Sequence, residues 1–350
     1  MEPTFQSNGG DVMKLYCGID LHSTNNWLGI YDEEDRAVVS KRLPNDVGVV
    51  LESLEPYKAE LAGIAVESTY NWYWLVDGLM EQGYRVLLTN PAGNEQYNGL
   101  KYTDDRHDSR WLARMMRLGI VATGYIYPKE ERPIRDLLRK RMRLVQHRTA
   151  HIVSVLNTIA RNTGSSLSWS KIEEMSDDQI SKLLGDELIG MAPRASLAVI
   201  KSLDHEISKI EKTVKARAKL RSEYKLLKTV WGVGPILALT IMYETGEISR
   251  FSQVGDYCSY ARCVGSVRIS NGKKKGENNT KNGNRYLSWA FVEAANFASR
   301  FYPQAHRFIQ RKRARGNHTL AVKALGHKLA RASYYVMRDQ VEFDPGRLFG

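Results

Sequence analysis

Cysteine is scarce in this chain of 350 residues, which holds only Cys17, Cys258 and Cys263. An odd, sparse set builds no disulfide framework and points to a reducing compartment. Long apolar runs are missing as well. Spanning a bilayer takes about 18 or more consecutive apolar residues, and no such stretch exists; no signal-peptide pattern opens the chain. The eight histidines do not fall at zinc spacing. His147 and His151 stand one helical turn apart, but no thiolate or carboxylate follows at ligand distance. Acid is short relative to base, with 39 Asp and Glu against 51 Lys and Arg and a net charge of +12. That balance favours a polyanionic partner, most simply nucleic acid, over an anionic membrane surface. What is present suffices for folding: 43% of residues are hydrophobic, enough for buried cores in two or three domains. Residues 1–12 are polar and glycine-bearing and read as a disordered leader.

Residues 13–125 read as one α/β domain. KLYCGID (14–20), WLGIY (27–31) and AVVSKRL (37–43) are short strands separated by polar turns. A helix over 46–57 follows, then LAGIAV (61–66), apolar enough for a strand buried on both faces. A helix over 70–82, a strand RVLLT (85–89) and a helix running to about residue 118 complete it. The order βββαβαβα is that of an RNase H-like domain, in which the first strand lies beside the fourth. Ligands in such sheets gather outside the carboxyl ends of the central strands. Asp20 ends the first strand and Glu67 follows the fourth. Asp105 and Asp108 share one helical face. Each acid has an ordinary alternative: Asp20 opening a turn, Glu67 ending a strand, Asp104 or Asp105 capping a helix. Asp104 is the better cap, which leaves Asp108 at the top of a stripe with Leu112 and Met115. Four carboxylates from three segments repel one another unless a cation such as Mg²⁺ sits among them.

Residues 126–225 read as a basic helical region. From Arg132 to Arg148 there are seven Arg and Lys against one Asp, with Leu137, Leu138, Leu144 and Val145 beneath. A second charged helix is expected over 195–224, with Leu197, Ile200, Leu203, Ile207, Ile210 and Val214 at helical spacing, so that the two form a coiled-coil-like hairpin. The basic face proposes Arg139, Arg141 and Arg143 as phosphate contacts; a solvated charged face is the alternative. Residues 226–340 read as a mainly helical domain, and 341–350 as a tail. Its WGVGP (231–235) between two helices is a helix-hairpin-helix-like signature whose glycines turn the backbone tightly and can expose N–H groups to phosphate. SVRISNGKKKGENNTKNGNRYL (266–287) is rich in glycine and lysine and holds one acid. A serine in such a loop is a candidate nucleophile beside cations; a flexible basic loop is the alternative. Lys273, Lys274, Lys275, Lys281 and Arg285, with Arg311 and Arg313 in the acid-free RFIQRKRAR, are candidate nucleic-acid contacts.

The words CGID (17–20), VEST (66–69), DRHDSRWLAR (105–114), WGVGP (231–235), GEISRF (246–251), SNGKKKG (270–276) and TKNGNRYL (280–287) together resemble the DEDD-type serine transposases of the IS110 insertion-sequence class, which includes the Piv-type invertases. The resemblance runs from about residue 13 to about residue 337. It implies a RuvC-like domain whose tetrad, here Asp20, Glu67, Asp105 and Asp108, binds Mg²⁺. It implies a transposase domain whose serine, here Ser270, becomes covalently linked to DNA. It further implies a noncoding bridge RNA pairing with donor and target DNA, a dimer or tetramer with composite active sites, and a cytoplasmic, nucleoid-associated enzyme. Cys263 and Gly265 depart from the more usual Leu and Pro, and Ser109 stands where Ala is common. Two other readings stand beside this one: a junction-resolving nuclease that activates water, and a nucleic-acid-binding relative without catalysis.

Overall fold

The computed structural model describes residues 14–91, 104–218, 221–276 and 282–349; the leader and Lys281 lie outside them. The chain divides into two compact units, Met1–Lys129 and Glu130–Gly350. The first is a sheet with helices. The second is almost wholly helical.

The first unit holds β1 (Leu15–Leu21), β2 (Asn25–Tyr31), β3 (Ala37–Pro44), α1 (Val47–Leu54), β4 (Leu61–Glu67), α2 (Tyr73–Glu81), β5 (Val86–Thr89) and α3 (Asp105–Arg117). The strand order is β3-β2-β1-β4-β5. β1 runs antiparallel to β2 and parallel to β4, with Ile19 opposite Val66. The expected meander and the pairing of the first strand with the fourth are both present. β1 can be central because its residues are buried on both faces, Cys17, Ile19 and Leu21 included. Leu75, Val76 and Leu79 of α2 and Val50 and Leu54 of α1 cover one face. α3 covers the other, through Leu112 and Met115 against Ala65.

The seat of α3 depends on two glycines. Gly18 and Gly29 are paired across β1 and β2. A Cβ on Gly18 would stand 1.9 Å from the Ser109 carbonyl oxygen, and one on Gly29 would stand 2.9 Å from Ser109 Oγ. Ser109 is fully buried, its hydroxyl donating to the Arg106 carbonyl at 3.0 Å. The helix backbone therefore rests directly on the sheet, which only missing side chains permit. Its far end is tied down by Asp35 in the β2–β3 turn. That carboxylate accepts from Arg117 at 3.1 Å and faces Arg114 at 3.4 Å, and the Asp35 carbonyl accepts from Arg110 at 3.1 Å.

The second unit begins with α4 (Arg132–Thr163), α5 (Trp169–Glu173), α6 (Asp177–Leu184) and α7 (Glu187–Ala218). α4 and α7 pair antiparallel, because Arg141 meets Glu211 while the later Arg148 meets the earlier Asp204. The second helix starts earlier than expected and runs through Pro193. Within the first two turns a proline sacrifices one backbone bond, and its ring is buried in line with Leu197 and Ile200. That helix also stops at Ala218, and residues to 227 form a separate α8 (Ser222–Leu227).

Next come α9 (Pro235–Thr245), α10 (Val254–Tyr260), β6 (Arg268–Ser270), β7 (Lys273–Gly276), α11 (Arg285–Phe301), α12 (Pro303–Arg313), α13 (His318–Asp339) and α14 (Pro345–Phe349). One core joins Leu138 of α4 and Val214 of α7 to Leu237, Phe291, Leu325 and Leu329. The central helices expected as a separate region thus share a core with the C-terminal helices. The residues read as a tail also pack: Phe343 and Phe349 lie against Trp231, which stacks on Tyr302 at 4.5 Å. The glycine turn before α9 serves this packing. Gly232, at φ 79°, has the Ala294 carbonyl 2.0 Å from where a Cβ would be. Its missing side chain lets the turn sit on the α11 backbone, while Gly234 beside it has open space and the turn lines a pocket with Arg141 and Lys228. All three cysteines are free; burial pushes the Cys258 thiol up to about 11 and the Cys263 thiol to about 12. Among the described residues no helix is long and apolar enough to cross a membrane.

Gly18→Ala is expected to lower the stability of the first unit by about 3 kcal/mol, because the contact beneath is backbone and cannot rotate away. Chemical denaturation followed by tryptophan fluorescence checks this; an unchanged midpoint would contradict the direct seating of α3.

Candidate functional site

The sheet brings Asp20 and Glu67 together through strand register. Asp20 is the penultimate residue of β1 and Glu67 the last of the parallel β4, each one step beyond the Ile19–Val66 pair. α3 approaches the same edge. Asp104 caps it, accepting from the His107 amide at 2.8 Å, so Asp105 and Asp108 occupy its first turn without being spent as the cap. Their position near the positive end of the helix partly offsets their repulsion. The tetrad read from the sequence thus sits at one sheet edge, with Glu67 bonded to Asp20 and the charges of Asp105 and Asp108 felt there.

Asp20 is the centre of the group. It is 3% exposed, and its buried Oδ2 makes no well-aligned hydrogen bond, with His22 Nε2 facing it at 3.2 Å. Burial pushes its carboxyl up to about 8, helped by the bond to Glu67 and then by the charges of Glu67, Asp108 and Asp105. A buried carboxylate among acids is tolerated as a proton carrier or as a cation ligand. The donor set, carboxylate oxygens from three segments, fits a hard divalent cation.

One member was absent from the sequence reading. His22 Nε2 lies 3.2 Å from both Asp20 Oδ2 and Asp105 Oδ1. Asp20, His22 and Asp105 can each direct one ligand atom to a common point, those atoms lying within 4.8 Å of one another. The signal was period two: His22 stands two residues after Asp20, on the same face of an extended chain. The polar HSTNN stretch had been taken for turn alone. Asn71 supports the arrangement by donating to the His22 carbonyl at 3.0 Å.

Ser270 belongs to the second unit. The glycine- and lysine-rich segment expected as a loop is a two-stranded hairpin in part, with Ser270 opposite Lys273. Asn271 at φ 50° and Gly272 at φ 69° make the turn. Asn-Gly is the preferred pair where both turn residues need positive φ. Ser270, Lys273, Lys274 and Lys275 are all exposed.

The remaining candidate cations divide into two groups. Arg143, Arg285, Arg311 and Arg313 are exposed and sit where a phosphate could reach them. Arg139 and Arg141 are occupied internally, which corrects their reading as free phosphate contacts. Arg139 makes a two-pronged bond to the buried Glu244 at 2.6 and 2.7 Å, and Arg141 bonds Glu211 at 2.7 Å. Their basic stripe holds the bundle together, because a helix face alternating with acids on its partner is a pairing surface.

Residues 17–161 match a transposase family model of the IS110 type, DEDD_Tnp_IS110. Residues 224–310 match the model of the transposase IS116/IS110/IS902 family. The first span holds the four acids and the second holds Ser270. The chain is 21% identical over 294 residues to a probable family 20 transposase of Pseudomonas aeruginosa, covering 81% of this chain and 86% of that protein. It is 22% identical over 231 residues to the transposase for insertion sequence element IS1111A of Coxiella burnetii, covering 64% and 62% respectively.

The acid cluster makes a prediction about stability. The folded Asp20 holds its proton to about pH 8, whereas an unfolded aspartate releases it near pH 4. In metal-free protein this group's contribution is therefore full at low pH and is lost as pH rises between those values. Asp20→Asn should remove that loss and raise the metal-free melting temperature at pH 8 by roughly 4 °C. It should also abolish the stabilisation by added Mg²⁺ expected of the wild type. Differential scanning fluorimetry with and without Mg²⁺ reads both; a Mg²⁺ shift that survives the substitution would remove Asp20 from the ligand set.

Proposed function

Because the chain is a transposase of the IS110 insertion-sequence family, we propose that it cuts and rejoins DNA through a covalent phosphoserine link assisted by a divalent metal. The observation that carries the reading is the buried Asp20, which shares a potential ligand point with His22 and Asp105 and feels the charges of Glu67 and Asp108. Asp20, Glu67, Asp105 and Asp108 would hold Mg²⁺. The ion would polarise the scissile phosphate and offset charge on the leaving oxygen. His22, in reach of two of the carboxylates, would fix their orientation.

Ser270 is the proposed nucleophile. Its Oγ attacks phosphorus, the Oγ–P bond forms, and the bond from phosphorus to the DNA 3′ oxygen breaks. The serine proton passes to solvent and the departing 3′ oxygen takes one up. The number of phosphoester bonds is unchanged, so a new 3′ hydroxyl can reverse the step on another strand without ATP. Lys273, across the hairpin from Ser270, supplies positive charge where the phosphate gathers negative charge. Arg143, Lys274, Lys275, Arg285, Arg311 and Arg313, with Lys281 of the same lysine-rich segment, serve the nucleic-acid backbone. A bridge RNA as guide, and acids and serine contributed by different protomers of a dimer or tetramer, follow from the resemblance carried by the motifs.

The test is a covalent adduct. Purified protein, RNA transcribed from the element's noncoding end, Mg²⁺ and labelled element-junction DNA are combined, then denatured and run on a gel. Label should migrate with protein in the wild type. It should fall at least about 100-fold in Ser270→Ala and Asp108→Asn, the scale of losing a central catalytic group. Cleaved DNA without an adduct, and indifferent to Ser270→Ala, would sink the serine mechanism in favour of a nuclease that activates water.

A further inference from the structure

Arg262 has a backbone that an arginine rarely adopts. Its φ is 55°, in the left-handed region that favours glycine. Strain of this kind persists where surrounding interactions impose it. Here they are specific. Arg262 Nε donates to the carbonyls of Asn282 and Gly283, both at 3.0 Å. Those carbonyls lie at the far end of the excursion that leaves the helical core after α10, carries the β6–β7 hairpin with Ser270, and returns at α11.

The two feet of this excursion are locked together. The Asn284 amide donates to the Tyr260 carbonyl at 2.5 Å. Gly283, at φ 90°, has that same carbonyl 2.5 Å from where a Cβ would stand. The lock continues into the core. Asn284 Nδ2 donates to Glu244 at 2.7 Å, while its Oδ1 accepts from the Tyr286 and Leu287 amides and caps α11. Glu244 is 2% exposed and is held by Arg139 from α4. A line of charge-assisted bonds therefore runs from the buried Arg139–Glu244 pair through Asn284 to the base of the hairpin, and Arg262 closes that base from the other side.

We propose that Arg262 is a positioning residue for Ser270. Its guanidinium ties the two feet of the excursion together, so that the serine is presented in one place. The proposal rests on the reading of Ser270 as nucleophile, since only a reacting atom benefits from being held so. It accounts for an arginine at a site where glycine would be free of strain: the side chain earns its place through the two carbonyls, not through the backbone.

Arg262→Gly is a selective probe, because glycine adopts the observed φ at no cost and removes only the tether. Arg262→Lys keeps the positive charge but loses Nε. In Arg262→Gly the melting temperature should hold, relief of backbone strain offsetting the lost tether, whereas in Arg262→Lys, which keeps the strained φ, it should fall slightly. DNA affinity, by fluorescence anisotropy on element-junction DNA, should stay within about twofold. The rate of adduct formation at saturating DNA should fall on the order of 10–100-fold, the cost of misplacing a reacting group by about 1 Å. Hydrogen–deuterium exchange of residues 268–276 should quicken in both variants. Unchanged adduct rates, or rates restored by Arg262→Lys, overturn the proposal; restoration would make Arg262 a phosphate contact. A wild type that forms no adduct overturns the serine reading itself. In that case the exchange result still decides whether Arg262 fixes the hairpin, and unchanged exchange refutes it.

Discussion

Everything at the acid site depends on one close approach, the backbone of α3 lying against Gly18 and Gly29. A helix seated on ordinary side chains stands about 10 Å off a sheet. Here two absent side chains let it sink until Ser109 touches the strands. That is what carries Asp105 and Asp108 down to the level of Asp20 and Glu67. The cost of gathering these acids is electrostatic and is borne by Asp20, whose burial and neighbours favour its neutral form. Packing elsewhere in the unit must outweigh it, and the apolar layer of α1 and α2 under the sheet does so. The site is an instance of strain located at function and supported by a conventional core.

The second unit uses charge differently. Its central acid, Glu244, is buried yet fully engaged, by Arg139 on one side and Asn284 on the other. Such a group adds little net stability compared with an apolar replacement, but it is directional, and removing one partner is costly. Directionality is useful beside a hairpin whose serine is exposed and stands opposite a lysine. The first unit leaves a buried Asp20 oxygen without a well-aligned hydrogen bond and so invites a cation. The second satisfies every oxygen of Glu244 and so fixes a geometry.

Much of this was legible in the residues because the relevant signals are local or periodic. LAGIAV (61–66) is apolar enough to read as a strand buried on both faces. Asp104 could be chosen as cap because a short acceptor placed ahead of an amphipathic run has one main use. From these two followed the neighbourhood of Asp20, Glu67, Asp105 and Asp108. What escaped was long-range or concealed by composition. His22 was read with its polar neighbours, although strand alternation put it on the face of Asp20. Asn271–Gly272 is a hairpin signal, but the surrounding lysines suggested a flexible loop. Arg139 and Arg141 look like a phosphate-binding face until their acidic partners, Glu244 and Glu211, arrive from far along the chain. The aromatic contacts of Phe343 and Phe349 with Trp231 likewise have no local signature.

The hairpin turn has a further consequence. Asn-Gly is the dipeptide in which the side-chain amide is most open to attack by the next backbone nitrogen, because glycine offers no side chain to hinder it. Ammonia leaves as the succinimide forms, and water then opens the ring to aspartate or to isoaspartate. In this protein that ageing reaction falls at Asn271, one residue from Ser270. It would set a negative charge beside the proposed nucleophile, and isoaspartate would add a methylene to the tightest part of the turn. The residue pair that gives the hairpin its register also gives it a chemical lifetime.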